Sequence, residues 1–195
     1  MSFEIAVAVL GTAALAWAAV VDVRARKIPA PAGFGMLGLG LLVLLWEKWY
    51  IGAAYFVLAI WCTRGRGWQY LLLAGSAVML WTYQWEGAPL VAGVLLVATI
   101  FWMKWFGGGD AQLAMGLIGV GHDWLVLGVV FGLTIVVGIA MTVVRRGSVT
   151  EGARRLVWVA RNLSAEPDSN AIRTPWAVVA AVGGIAYLWL WALVL

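Results

Sequence analysis

The chain has 195 residues, of which 64% are hydrophobic and 11% charged, with a formal net charge of +4 at neutral pH. An average globular domain carries about 25% charged residues, and a chain this small cannot bury so much apolar surface in a water-facing core. Composition therefore excludes an ordinary water-soluble domain and points to a polytopic membrane protein. With one cysteine, Cys62, an internal disulfide or a thiolate metal cage is excluded. The single histidine, His122, reads as a loop residue at a membrane face, because a metal site needs several ligands.

Apolar segments fall at 4–21, 32–46, 50–62, 69–84, 88–105, 111–121, 123–144 and 175–195. A span takes roughly 17–25 residues, and shorter ones fit when tucked among neighbours or where the bilayer thins. The first segment, in "MSFEIAVAV", carries Glu4 and lacks the positive flank of a signal peptide, so it is expected to be a true span. Segments 32–46 and 50–62 fit two short spans or one bent hairpin. Segment 111–121 is too short to cross unless tilted or partly re-entrant. The expected fold is all-α: one integral-membrane domain over 1–195, a bundle of about six to eight transmembrane helices.

Cationic residues set the expected orientation. Arg24, Arg26 and Lys27 follow the first segment, Arg64 and Arg66 the third, and Lys104 sits near the end of the fifth. Arg145, Arg146, Arg154, Arg155, Arg161 and Arg173 lie in the loop after the seventh. With eight spans all of these share one side. Lys48 faces the other, with Glu4, Glu47, Glu86 and Asp123. The positive-inside rule makes the crowded side cytoplasmic and puts both termini outside. The sequence pI of about 9.6 is then a topology signal, and no nucleic-acid partner is expected. Within the cytoplasmic loop 145–174, Val149, Ala153, Leu156, Val157 and Ala160 recur at helical spacing opposite Glu151, Arg154, Arg155 and Arg161. That pattern predicts a short amphipathic helix on the membrane surface. Trp46, Trp49, Trp68, Trp81, Trp85, Trp102, Trp105 and Trp124 fall at expected span ends, as in an interfacial aromatic belt.

Two acidic residues stand apart. Asp22 closes the first span in "AAVVDVRARKIPAP", and Asp110 opens the sixth in "WFGGGDAQL". An even number of spans separates them, so both are expected at the cytoplasmic end. Each has a plain structural role open to it: Asp110 as a helix N-cap, Asp22 as a partner of Arg24 or Arg26. Ionisable groups at membrane depth are costly and usually serve a function. Two carboxylates held close share one proton, which supplies an acid and a base in one site. The glycines before Asp110 suit a bend and the close approach of another chain.

These residues resemble the type IV prepilin peptidases, including the preflagellin peptidases. The first motif is Asp22 followed by Arg24, Arg26, Lys27, Ile28 and Pro29; the second is Gly107, Gly108, Gly109 and Asp110. "IRTPWAVVAAVGG" is similar to the family's Pro-led last helix, so the resemblance runs from the first span to the last. It implies an intramembrane aspartyl endopeptidase with Asp22 and Asp110 catalytic and Gly107, Gly108, Gly109, Ile28 and Pro29 supporting them. The implied substrate is a prepilin-like protein with an N-terminal hydrophobic helix, cut at the cytoplasmic face of the cell membrane among lipids, without metal or cofactor. The chain departs from the family's pattern at Ala30, where an asparagine is usual, and at Gln112, where a lysine is usual. Lys27 and Gln112 are the candidates here for substrate contact or for tuning the carboxylates. The paired-cysteine insert of the larger enzymes, which also methylate the new N-terminus, is missing from this sequence, so peptidase activity alone is implied.

Three other readings compete. A presenilin-like protease shares the Gly-x-Gly-Asp motif, but its partner aspartate would lie inside a later span. A small cation or proton transporter would need polar groups at mid-bilayer, where these spans are nearly bare. A catalytically inactive homologue serving pilus assembly is the third, consistent with Ala30 and Gln112.

Overall fold

A computed structural model of the chain describes residues 2–25, 27–62, 69–102, 108–132, 136, 140, 150, 154 and 176–194. The elements are α1 (Phe3–Ala25), α2 (Ala30–Trp46), α3 (Tyr50–Cys62), α4 (Gln69–Trp102), α5 (Gly108–Gly121), α6 (Trp124–Leu127), a π-helical turn (Gly128–Gly132) and α7 (Trp176–Val194). Among the described residues the fold is all-helical. Three helices hold a stretch long and apolar enough to cross a membrane: Phe3–Ala25, Gln69–Trp102 and Ala177–Val194. Apart from residues 150 and 154, the amphipathic helix expected within 145–174 lies outside the described residues, as do Gly107 and, from the expected segment 123–144, residues 133–135, 137–139 and 141–144.

Local chemistry sets the helix ends. Pro29 is the N-cap of α2 in an extended conformation (φ −65°, ψ 131°), and its carbonyl accepts the N–H groups of Ala32 and Gly33 at 3.0 and 3.3 Å. Pro31 sits in the first turn, where a missing N–H removes no helix bond. At the other end, Lys48 takes a left-handed φ of 64° and the Trp49 N–H reaches the Leu44 carbonyl at 2.8 Å. That six-to-one bond is a Schellman close, and it turns the chain directly into α3. Segments 32–46 and 50–62 are thus two helices joined by a tight turn.

The 34 residues of α4 are two arms. Gln84 has φ 49° and ψ −127°, which no helix accommodates, and the chain reverses there, between the expected segments 69–84 and 88–105. The first arm packs antiparallel on α3: the Tyr55 and Ser76 hydroxyls lie 2.9 Å apart, and Trp49 stacks on Tyr83 at 4.6 Å. The second arm runs back beside α5, where Gly93 meets Ile118.

Helix α5 is the centre of the bundle; Ala111 and every residue from Leu113 to Gly121 are buried. At 14 residues it is about 21 Å long, so its neighbours enclose it. It runs parallel to α2, with contacts pairing Gly33 with Gln112, Met36 with Gly116, and Gly40 with Gly116 and Gly119. A Cβ on Gly116 would lie 2.5 Å from the Met36 carbonyl carbon. Only glycine permits that backbone approach, the small-residue packing common between membrane helices. A second tight pair forms between α1 and α7, which run antiparallel: Gly11 meets Leu188, Leu15 meets Gly184, and the Trp189 indole N–H donates to Thr12 Oγ1 at 3.1 Å.

The bundle therefore has two distinct ends. One gathers the end of α1 and the starts of α2, α5 and α7. The far end gathers Glu47, His122 and Asp123. There His122 Nε2 lies 3.1 Å from Glu47 Oε2, Trp49 lies against the imidazole at 4.6 Å, and the Tyr187 hydroxyl donates to Asp123 Oδ2 at 3.0 Å. His122 is a loop residue, as expected. The outer surface is apolar, with Leu10, Trp17, Leu42, Trp61, Leu71 and Leu193 exposed; Trp81 and Trp85, on either side of the α4 reversal, are 88% and 84% exposed.

Candidate active site

Asp22 sits in the last turn of α1 with only 8% of its surface exposed. Its Oδ2 accepts the backbone N–H of Ala177, in the first turn of α7, at 3.2 Å. The first N–H groups of a helix have no acceptor within it, so this carboxylate satisfies a donor that α7 cannot. A bond to a backbone 155 residues away replaces the expected pairing with Arg24, which is exposed; Arg26 lies outside the described residues.

Asp110 is the third residue of α5, which begins at Gly108. It is therefore a first-turn acid and not the N-cap that its glycine context suggested. A carboxylate in this position still interacts favourably with the helix dipole.

The level of Asp110 follows from helical register. A Cβ on Gly184 would lie 2.9 Å from Leu15 Cδ1 and 3.0 Å from Leu117 Cδ1, so α1, α5 and α7 meet at this point. Seven residues are close to two turns, about 10.5 Å of rise. Seven residues toward the motif end lead from Leu15 to Asp22, from Gly184 to Ala177 and from Leu117 to Asp110. The Asp22–Ala177 hydrogen bond confirms that register for α1 and α7. Asp110 thus stands at the level of Asp22, on the face of α5 that carries Leu117.

The two motifs touch. A Cβ on Gly109 would lie 2.6 Å from Ile28 Cβ and 3.5 Å from the Ile28 carbonyl oxygen, whereas at Gly108 nothing among the described residues lies within 4 Å. Of these two glycines, only Gly109 is required by packing. Pro29 then caps α2, and Lys27, in the link between α1 and α2, is exposed.

Gln112 lies directly over Gly33 of α2, its side-chain oxygen where a Cβ would be. Gly33 is about one turn beyond Ala30, which is exposed. Beside it, Phe34, Leu37, Ile60, Phe101, Gly108, Ala111, Gln112 and Met115 line a half-open apolar cleft of about 200 Å³. Gly108, Ala111, Gln112 and Met115 recur at helical spacing on one face of α5, and Asp110 stands on the other. The aspartates and the cleft therefore flank the start of α5 from opposite sides. Among the described residues, no three His, Cys, Asp or Glu side chains gather as a metal site would require.

Sequence reasoning did not find Ala177 or Gly33. The available signal for Ala177 was the helix start at "RTPWA", whose unsatisfied N–H groups need an acceptor. Comparison with protein-family models, with curated proteins and with solved structures returns no match.

Proposed function

We propose that this chain is an intramembrane aspartyl endopeptidase that cuts the cytoplasmic leader from prepilin-like substrates. The observation that carries the reading is the convergence of two distant motifs: Ile28 against Gly109, with Asp22 and Asp110 at one level of the same end. The apolar outer surface and the three long apolar helices support a multi-pass setting in the cell membrane. The basic residues beside the motif end support a cytoplasmic site, which is where the leader of an inserting substrate helix would lie.

In this reading one carboxylate takes a proton from water as its oxygen bonds to the scissile carbonyl carbon. The other, protonated, gives its proton to the carbonyl oxygen. As the tetrahedral intermediate collapses and the C–N bond breaks, the leaving amine takes the proton held by the first carboxylate, and the second takes one back from a hydroxyl of the intermediate, so the acid product leaves and both carboxyl groups return to their starting states. The chemistry needs water and two carboxylates and no metal.

The test is co-expression of the full chain with a prepilin-like substrate, following leader removal on a gel. The wild type cleaves, and Asp22→Asn and Asp110→Asn each lose at least about 100-fold in rate, the scale of general acid–base catalysis. Cleavage by either variant at the wild-type rate refutes the dyad. A membrane-inserted wild type that cuts no leader favours the inactive assembly homologue.

A further inference from the structure

We infer that the backbone N–H of Ala177 is a positioning group for Asp22, so that the start of α7 is a third component of the site. This rests on the peptidase reading above. Asp22 and Ala177 are both buried, and the bond joins them at 3.2 Å across two helices. A carboxylate at the end of an apolar helix can rotate about two side-chain torsions. A backbone donor in a packed helix cannot turn away as a side-chain donor can, so it fixes which way the carboxylate faces.

The donor is itself held in place from several directions. Gly184 of α7 is wedged between Leu15 and Leu117, and Gly11 lies against Leu188. These contacts lock the axial register of α7 against both aspartate-bearing helices. A slip of one residue along α7 would move the N–H by about 1.5 Å and break the bond. Because α7 is parallel to α5, its first turn also stands at the level of Asp110. One helix start thereby sets the direction of one carboxylate and its height relative to the other.

A proline at 177 removes the N–H, and the first turn of a helix tolerates proline. In the full-length chain with a prepilin-like peptide, Ala177→Pro is expected to lower kcat about ten-fold or more, the rate equivalent of one hydrogen bond to a carboxylate. KM stays within about two-fold. Ala177→Gly keeps the N–H and retains both constants within about two-fold. A second readout needs no proline variant. In ¹⁵N-alanine-labelled protein in detergent, the Ala177 amide proton, assigned by its loss in Ala177→Gly, lies downfield as a donor to a carboxylate does, and moves upfield in Asp22→Asn. Wild-type kcat in Ala177→Pro, equal losses in the glycine and proline variants, or an amide resonance indifferent to Asp22→Asn each overturn the inference and leave the peptidase reading standing. Wild-type cleavage by Asp22→Asn instead overturns the peptidase reading, and this inference with it.

Discussion

Adding one methyl group at adjacent glycines should produce opposite results. At Gly109 a new Cβ would lie 2.6 Å from Ile28 Cβ and 3.1 Å from its Cγ2. Comfortable carbon contacts begin at about 3.5 Å, so Gly109→Ala must push Ile28 and the start of α5 apart by roughly 1 Å. Ile28 is partly buried against the core and its backbone leads into the Pro29 cap, so the shift falls on the motif end. Overpacking of this kind costs about 1–3 kcal/mol, which a folded bundle can survive. A displacement near 1 Å at a catalytic group costs about 100-fold in rate. Gly109→Ala is therefore expected to fold, melt a few degrees lower in detergent, and lose about 100-fold in leader cleavage. Gly108→Ala meets nothing within 4 Å among the described residues and removes a poor helix former, so it leaves cleavage unchanged and stabilises by up to about 1 kcal/mol. Thermal melts and initial cleavage rates of both variants are the assay. Equal behaviour of the two would refute the claim that Gly109 holds the motifs together.

Other consequences can be checked with the same two measurements. Gly116→Ala would place a Cβ 2.5 Å from backbone of Met36; since backbone yields less than a side-chain tip, its melting loss should be at or above the upper end of the 1–3 kcal/mol range, near 3 kcal/mol. His122→Ala removes the Glu47 contact and the Trp49 ring contact, and should cost about 1–2 kcal/mol. It should leave cleavage untouched, because it acts at the end of the bundle opposite Asp22. Tyr187→Phe removes the donor to Asp123 Oδ2 and should cost about 1 kcal/mol, again without effect on cleavage.

Hydrophobic patterning made most helices legible. Segment 50–62 coincides with α3, and 175–195 brackets Trp176–Val194. The break in α4 was readable because the polar "QWEG" interrupts two apolar runs. The start of α5 was misplaced by three residues: glycine's weak helix propensity argued for a bend at Gly108 and Gly109, and tertiary contact with Ile28 made a helix there. Parity put Asp22 and Asp110 at one end correctly. What the sequence hid was pairing between distant segments. Nothing in the pattern around Gly33, Gly40, Gly116 and Gly119 specifies that α2 and α5 pack side by side, and nothing local to Asp22 names Ala177 as its donor. Those are outcomes of three-dimensional fit, where a glycine acquires meaning only from the side chain that fills its space.

The two tight helix pairs divide the proposed dyad between them. Asp22 rides on α1, clasped along its length by α7; Asp110 rides on α5, fused to α2 through bare glycine backbone. Each pair is stiff, and the seam between the pairs passes between the two carboxylates. Gly184, wedged between Leu15 and Leu117, keys the two pairs together across that seam, two turns from the carboxylates. Each acid group of the proposed dyad is thus carried by a different pair, and a single glycine contact keeps the two pairs in step.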